Sequence, residues 1–164
     1  MMLAKDSIKV VVPTVIFALM LHMWPLPEWM AYGRPEFVTL VVMYWALAMP
    51  ERVGVTIAWC VGLLLDVTQG AILGQHALGL VIVTFIVELE YQRIRVFSLV
   101  QQALVVFVLL LIKQVLVLWV YGLVGHAPDL SLYFLPSLIG AIIWPWVFLL
   151  LRNLRRKFSV SRGF

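Results

Sequence analysis

Two ionisable side chains stand where water is scarce. Asp66 follows three leucines in GLLLDVTQGAILGQ (residues 62–75), and Lys113 lies inside LLLIKQVLVLW (residues 109–119). A charge buried in so apolar a run is costly, so it must carry protons or ligand, or hold helices together. For Asp66 the choice is between a proton or ligand site and a carboxylate bonded to Thr, Gln or backbone groups that fixes helix contacts. For Lys113 it is between an ion pair with Asp66, direct or bridged by Gln69 or Gln114, and a cation that meets a partner protein or snorkels outward along its stem. A coupling pump would need a longer chain of such groups than these two. His22, His76 and His126 are too far apart in the chain to form a ligand pair by spacing, which leaves metal binding unsupported. Cys60 is the single cysteine, so no disulfide or cysteine metal site forms within the chain. The serines sit at termini and span ends, with no nucleophile elbow and no base at useful spacing. Neither an enzyme nor a cofactor is expected.

The surroundings of these residues are those of a membrane protein. Of 164 residues, 64% are hydrophobic and 12% charged, against roughly 45–50% apolar in a soluble domain, and the mean hydropathy is +1.06. The chain is expected to be one all-α membrane domain over residues 1–164 with six spans: Ile8–Trp24, Phe37–Met49, Val53–Leu73, Ala77–Glu90, Phe97–Val124 and Tyr133–Leu151. Crossing the hydrocarbon core takes about 20 residues, so the second and fourth fall short. Lys5 and Lys9 before an apolar run resemble a signal peptide, but no small-x-small cleavage site follows, and the run reads as an uncleaved first helix.

Placing both termini in the cytoplasm puts Lys5, Lys9, Arg52, Arg93, Arg95, Arg152, Arg155, Arg156, Lys157 and Arg162 on the inner side and only Arg34 on the outer side. The positive-inside rule selects this orientation. It also explains the formal charge of +4 better than nucleic acid does. The outer loop WPLPEWMAYGRPE (residues 24–36) pairs headgroup-level Trp24, Trp29 and Tyr32 with the helix breakers Pro25, Pro27 and Pro35.

In the third span the positions four apart are Gly54, Ala58, Gly62, Asp66, Gly70 and Gly74. Small residues on one ridge let helix backbones approach closely in lipid, so this face is expected to pack against protein, with Asp66 pointing into the bundle. Fourteen residues beyond Arg52, Asp66 falls about 21 Å into a core of about 30 Å, in the outer half. At the inner ends, ELEYQRIR (residues 88–95) reads as a solvated helix end with local ion pairs, and the basic tail with Arg155 and Arg156 as a hold on anionic lipid. Arg93, Arg95, Arg155 and Arg156 are the candidate cytoplasmic contacts. Pro136 and the Trp144-Pro145-Trp146 segment shape the packing surface of the last span.

RPEFVTLVVMYWALAMPERVG (Arg34 to Gly54), GLLLDVTQGAILG (Gly62 to Gly74), the Gln101-Gln102 pair and IIWPWVFLLLRNLRRKF (Ile142 to Phe158) together resemble MreD, the rod shape-determining membrane protein of bacteria. The most specific elements are an outer-side motif of Arg34, Pro35, Tyr44 and Trp45, and Asp66 with Gly70 and Gly74. Lys113 has no place in the family pattern. The resemblance implies a six-helix bundle similar to the substrate-binding membrane component of energy-coupling-factor transporters. It implies a non-enzymatic scaffold in the bacterial inner membrane that maintains rod shape by binding MreC and organising lateral peptidoglycan synthesis. The other partners implied are the RodA glycosyltransferase, its penicillin-binding transpeptidase, and MreB beneath the membrane. A second class of function is a small-molecule binding or transport component, with Asp66, Thr68, Gln69 and His76 lining an outer-facing pocket.

Overall fold

The computed structural model describes residues 2–126 and 128–160, with side chains described from Ile8 to Phe158 apart from Ala127. The Lys5 side chain and Arg162 therefore lie outside the described residues. Within these limits the chain is all helical: α1 (Met2–Met23), α2 (Glu28–Ala31), α3 (Phe37–Ala48), α4 (Val55–Gln69), α5 (Gln75–Val96), α6 (Leu99–Val124) and α7 (Leu135–Val160). Every expected span corresponds to a helix, with α2 an added short turn in the loop between the first two.

α3 is the axis of the bundle. All ten residues from Val38 to Leu47 are buried, because α1, α5 and α7 pack around them. An apolar helix with no polar face has no side to give to water, so it is buried all round. The ring outside it closes through the neighbours α4–α5, α5–α6 and α6–α7.

The exposed sides of the outer helices are also apolar. Phe17, Leu104, Trp119, Leu123 and Leu150 are all more than 60% exposed, an outward face that suits lipid and not water. The helices Leu99–Val124 and Leu135–Phe158 are long and apolar enough to cross a membrane, with mean hydropathies of 2.7 and 1.7.

Several expected spans change length: the first and sixth become the longer helices Met2–Met23 and Leu135–Val160. The fourth, expected to be short over Ala77–Glu90, is a full 22-residue helix, because its charged C-terminal end stays helical with an i, i+3 pair between Arg93 and Glu90 at 3.2 Å. The second is indeed short, 12 residues or about 18 Å of helix.

The third span, expected to reach Leu73, stops at Gln69. Gly70 and Gly74 have φ of 63° and 98°, a left-handed backbone that side chains resist. They form the turn to α5, and the expected ridge through both of them is corrected to a shorter one. Gly54 is likewise non-helical, capping the start of α4 in an extended conformation. What remains on α4 is Ala58, Gly62 and Asp66.

Gly62 is the point of closest approach. A Cβ there would lie 2.3 Å from the Cα of Ala77, so α4 and α5 touch backbone to backbone. Gly70, by contrast, has open space around it and is required only for its φ. Gly62→Val should therefore destabilise at or beyond the top of the roughly 1–3 kcal/mol range for overpacking, and Gly70→Ala by about 1–2 kcal/mol. Thermal unfolding of the two variants in detergent reads the order. A Gly62→Val chain as stable as the parent would show that the α4–α5 contact does not depend on this glycine.

Candidate functional site

Asp66 is fully buried near the end of α4, and its acceptors are occupied by the start of α5. Oδ2 accepts from the Gly74 N–H at 2.8 Å and the Ala77 N–H at 3.4 Å; Oδ1 accepts from the His76 N–H at 2.8 Å and its Nδ1–H at 2.9 Å. Gly74, the residue at the cap of α5, has no side chain with which to satisfy these donors. The first N–H groups of a helix are otherwise orphans, and an anion beside them also meets the positive end of the helix dipole. Asp66 thus caps the next helix across the turn made by Gly70 and Gly74.

Lys113 is 1% exposed on α6, and its partner is Glu36 rather than Asp66. The expected Asp66–Lys113 pair is not formed. Glu36 precedes α3 and also accepts from the Thr39 hydroxyl at 2.8 Å, which places its carboxylate at the N-terminus of that helix. The Lys113 stem reaches it across Gly79, where a Cβ would fall 2.7 Å from Lys113 Cγ. Glu36 stands one residue ahead of an apolar span, in the loop expected on the outer side, where Lys113 is also expected to fall; that shared placement is the signal for the pair in the sequence.

The same device recurs at three more helix ends. Arg34 donates from both terminal nitrogens to the carbonyls of His22 and Trp24, closing the end of α1. Arg95 donates to the carbonyls of Leu47 and Ala48 at 2.8 and 2.9 Å, closing α3. Gln102 does so for α5, giving its Nε2–H groups to Ile94 and Phe97 at 3.1 and 3.3 Å. Ser98 and Gln101 form a capping box on α6.

Two of the expected groupings therefore divide. Pro35 and Arg34 stand in the loop before α3, whereas Tyr44 and Trp45 lie toward its other end, where Tyr44 lines a cavity with Arg95, Arg152 and Arg155. Helix geometry separates them, so Tyr44 and Trp45 do not share an outer-side motif with Arg34. The Trp45 indole donates to the Thr14 hydroxyl at 2.9 Å, tying α3 to α1. All four candidate cytoplasmic arginines are exposed, and Arg95 is in addition committed to the end of α3 and stacks over Tyr91 at 4.9 Å.

Between these caps lies a cavity of about 320 Å³ lined by His22, Arg34, Glu36, Gln69, His76 and Lys113, with Gln114 and Tyr133 on the far wall. His22 and His76, remote in sequence, share it, and the Gln69 side chain bridges to the His22 ring. The pocket expected around Asp66 is thus beside it, with Gln69 and His76 on the wall and Asp66 sealed behind. Thr68 turns its hydroxyl back to the Leu65 carbonyl at 2.9 Å. The far wall is fixed by a reciprocal latch, Gln114 Nε2–H to the Tyr133 carbonyl at 3.0 Å and the Tyr133 hydroxyl to the Gln114 carbonyl at 3.1 Å.

The sequence model of the family described as rod shape-determining protein MreD matches residues 5–154 of this chain. The chain is similar to the rod shape-determining protein MreD of Haemophilus influenzae, 34% identical over 146 residues that cover 87% of this chain and 88% of that one. No solved structure matches it.

A double-mutant cycle separates the two buried charges. Glu36→Gln with Lys113→Gln should show a coupling of about 1–3 kcal/mol in thermal or denaturant stability, whereas Asp66→Asn with Lys113→Gln should be additive within about 0.5 kcal/mol. Additivity in the first cycle would remove the Glu36–Lys113 pair.

Proposed function

We propose, from the premise that this chain belongs to the MreD family of rod shape-determining proteins, that it is a six-span scaffold of the bacterial inner membrane with both termini in the cytoplasm. In this reading α1, α3, α4, α5, α6 and α7 are the spans, and the chain maintains rod shape by binding MreC and organising lateral peptidoglycan synthesis. RodA, its penicillin-binding transpeptidase and MreB are the further partners. The chain stabilises one arrangement of these proteins over others by binding it more tightly, which is the only way a non-catalytic component can bias an assembly.

The observation that carries the reading is where the polar side chains of the bundle are used. Asp66, Arg34, Arg95 and Gln102 all satisfy the ends of other helices, and Lys113 meets Glu36 at the start of α3. A general base or nucleophile must keep a lone pair free toward a substrate. Asp66, the carboxylate best suited by position, has both oxygens filled by α5. Side chains spent in this way hold a fixed outer surface, which is what a scaffold offers its partners. The exposed apolar sides of α1, α6 and α7 are the surfaces available within the membrane, and Arg93, Arg155 and Arg156 those at the inner side.

The cavity beside His76 favours a second reading, a small-molecule binding component. Its wall combines acceptors, donors and aromatic rings from five helices and two loops in the way ligand pockets do. The two readings part on one measurement: a carrier would show saturable ligand binding lost in Gln69→Ala and His76→Ala with the fold intact.

For the scaffold, the chain should co-purify with tagged MreC from membranes solubilised under conditions that keep a known membrane complex together. Loss of MreC recovery in Gly62→Val, with the chain itself still inserted, is expected to accompany loss of rod shape. Failure of the parent chain to co-purify with MreC would overturn the assignment of that partner.

A further inference from the structure

At the opposite end of the bundle from the His76 cavity is a second one, of about 610 Å³, between the end of α3, the α5–α6 connection and α7. Its wall carries the guanidinium groups of Arg95, Arg152 and Arg155, and no aspartate or glutamate among the described residues. Polar groups here are mostly accounted for: Gln102 caps α5 and accepts from the Trp144 indole at 3.4 Å. One is not. Tyr44 lines the cavity and is 2% exposed, its ring is gripped edge-on by Trp45 and Phe148, and its buried hydroxyl has no hydrogen-bond partner among the described residues.

A buried hydroxyl left without a partner loses the bonds it had in water, at a cost of roughly 1–3 kcal/mol. Three cations gathered without a counter-ion also repel one another. Both are relieved by the same ligand, an anion with several acceptor oxygens. The carbonyls at the end of α3 would ordinarily oppose an anion there, but Arg95 already covers those of Leu47 and Ala48. Guanidinium groups match phosphate in planar, two-point geometry better than lysine would.

From this combination we infer that the cavity is a phosphate-binding site, with Arg152 and Arg155 as the principal anchors and the Tyr44 hydroxyl donating to a phosphate oxygen at the inner end. The phosphate is that of an anionic phospholipid headgroup or of a soluble phosphate compound. A flat acidic protein surface would engage the exposed tail arginines and leave the Tyr44 hydroxyl unmet. Only the assignment of the site to the inner leaflet rests on the orientation proposed above; binding in detergent does not.

The test uses the full-length chain in detergent, with native mass spectrometry against phosphatidylglycerol and phosphatidylcholine, and a separate thermal-shift titration with inorganic phosphate. Phosphatidylglycerol should be retained over phosphatidylcholine, and retention should fall about tenfold in Arg152→Gln/Arg155→Gln and in Tyr44→Phe, as expected for hydrogen bonds to a charged group. Arg156→Gln, exposed and outside the wall, should leave it within about fivefold, near the effect of one surface cation. Inorganic phosphate binding with the same variant dependence, and no lipid preference, would assign the phosphate to a soluble source. Equal loss in Arg156→Gln would reduce the effect to general basic charge and overturn the site. So would binding of neither phosphate nor lipid by a chain that melts normally.

Discussion

The bundle depends on how helix ends are closed where there is no water to close them. An α-helix leaves four N–H groups at one end and four carbonyls at the other, and in hydrocarbon each unmet group costs several kcal/mol. Long helices can escape by ending in the headgroups. α3, at 12 residues, is too short to cross a hydrocarbon core of about 30 Å. Its C-terminus, and the ends of α1 and α5, are met by side chains sent from other segments: Arg95 to α3, Arg34 to α1, Asp66 to α5. Each such cap is also a tertiary contact, so the charges that permit short helices also fix where those helices sit.

That constraint makes the packing around Gly62 consequential. Asp66 reaches the α5 N-terminus only because α4 and α5 run in backbone contact one turn earlier, at Gly62 and Ala77. A small residue, a left-handed turn and a carboxylate act as one unit over residues 62–77. The Lys113 stem lying over Gly79 repeats the pattern on the other face of α5. α5 is consequently held at both flanks by a glycine that admits a neighbour and a charge that the neighbour delivers.

The sequence announced the long elements and hid the connections. Six apolar runs could be read from hydropathy, because lipid leaves helix as the economical way to satisfy the backbone. That Asp66 faces protein followed from its small neighbours, and so did helix–helix contact at Gly62. Three things could not be read at that level. A four-residue repeat does not distinguish a glycine that packs from one that turns the chain, so the spacing alone runs the ridge through Gly70 and Gly74, where the backbone is left-handed. The partner of Lys113 depended on which outer carboxylate the fold brings to α6, and Glu36 lies outside every apolar run. The resemblance groups Tyr44 and Trp45 with Arg34 as one outer-side motif, yet α3 carries them to its other end. Proximity along a helix is separation in space.

Synthesis order gives the Glu36–Lys113 contact a further meaning. The two residues are 77 positions apart, and at about 5–20 residues per second a ribosome needs roughly 4–15 s to make the interval. Over that time α5 is made but α7, which also encloses α3, is not, and the Glu36 carboxylate has no lysine to meet. The central helix of the finished bundle is therefore among the first to be made and the last to be enclosed, and any factor that shelters young membrane segments would find α3 its natural client.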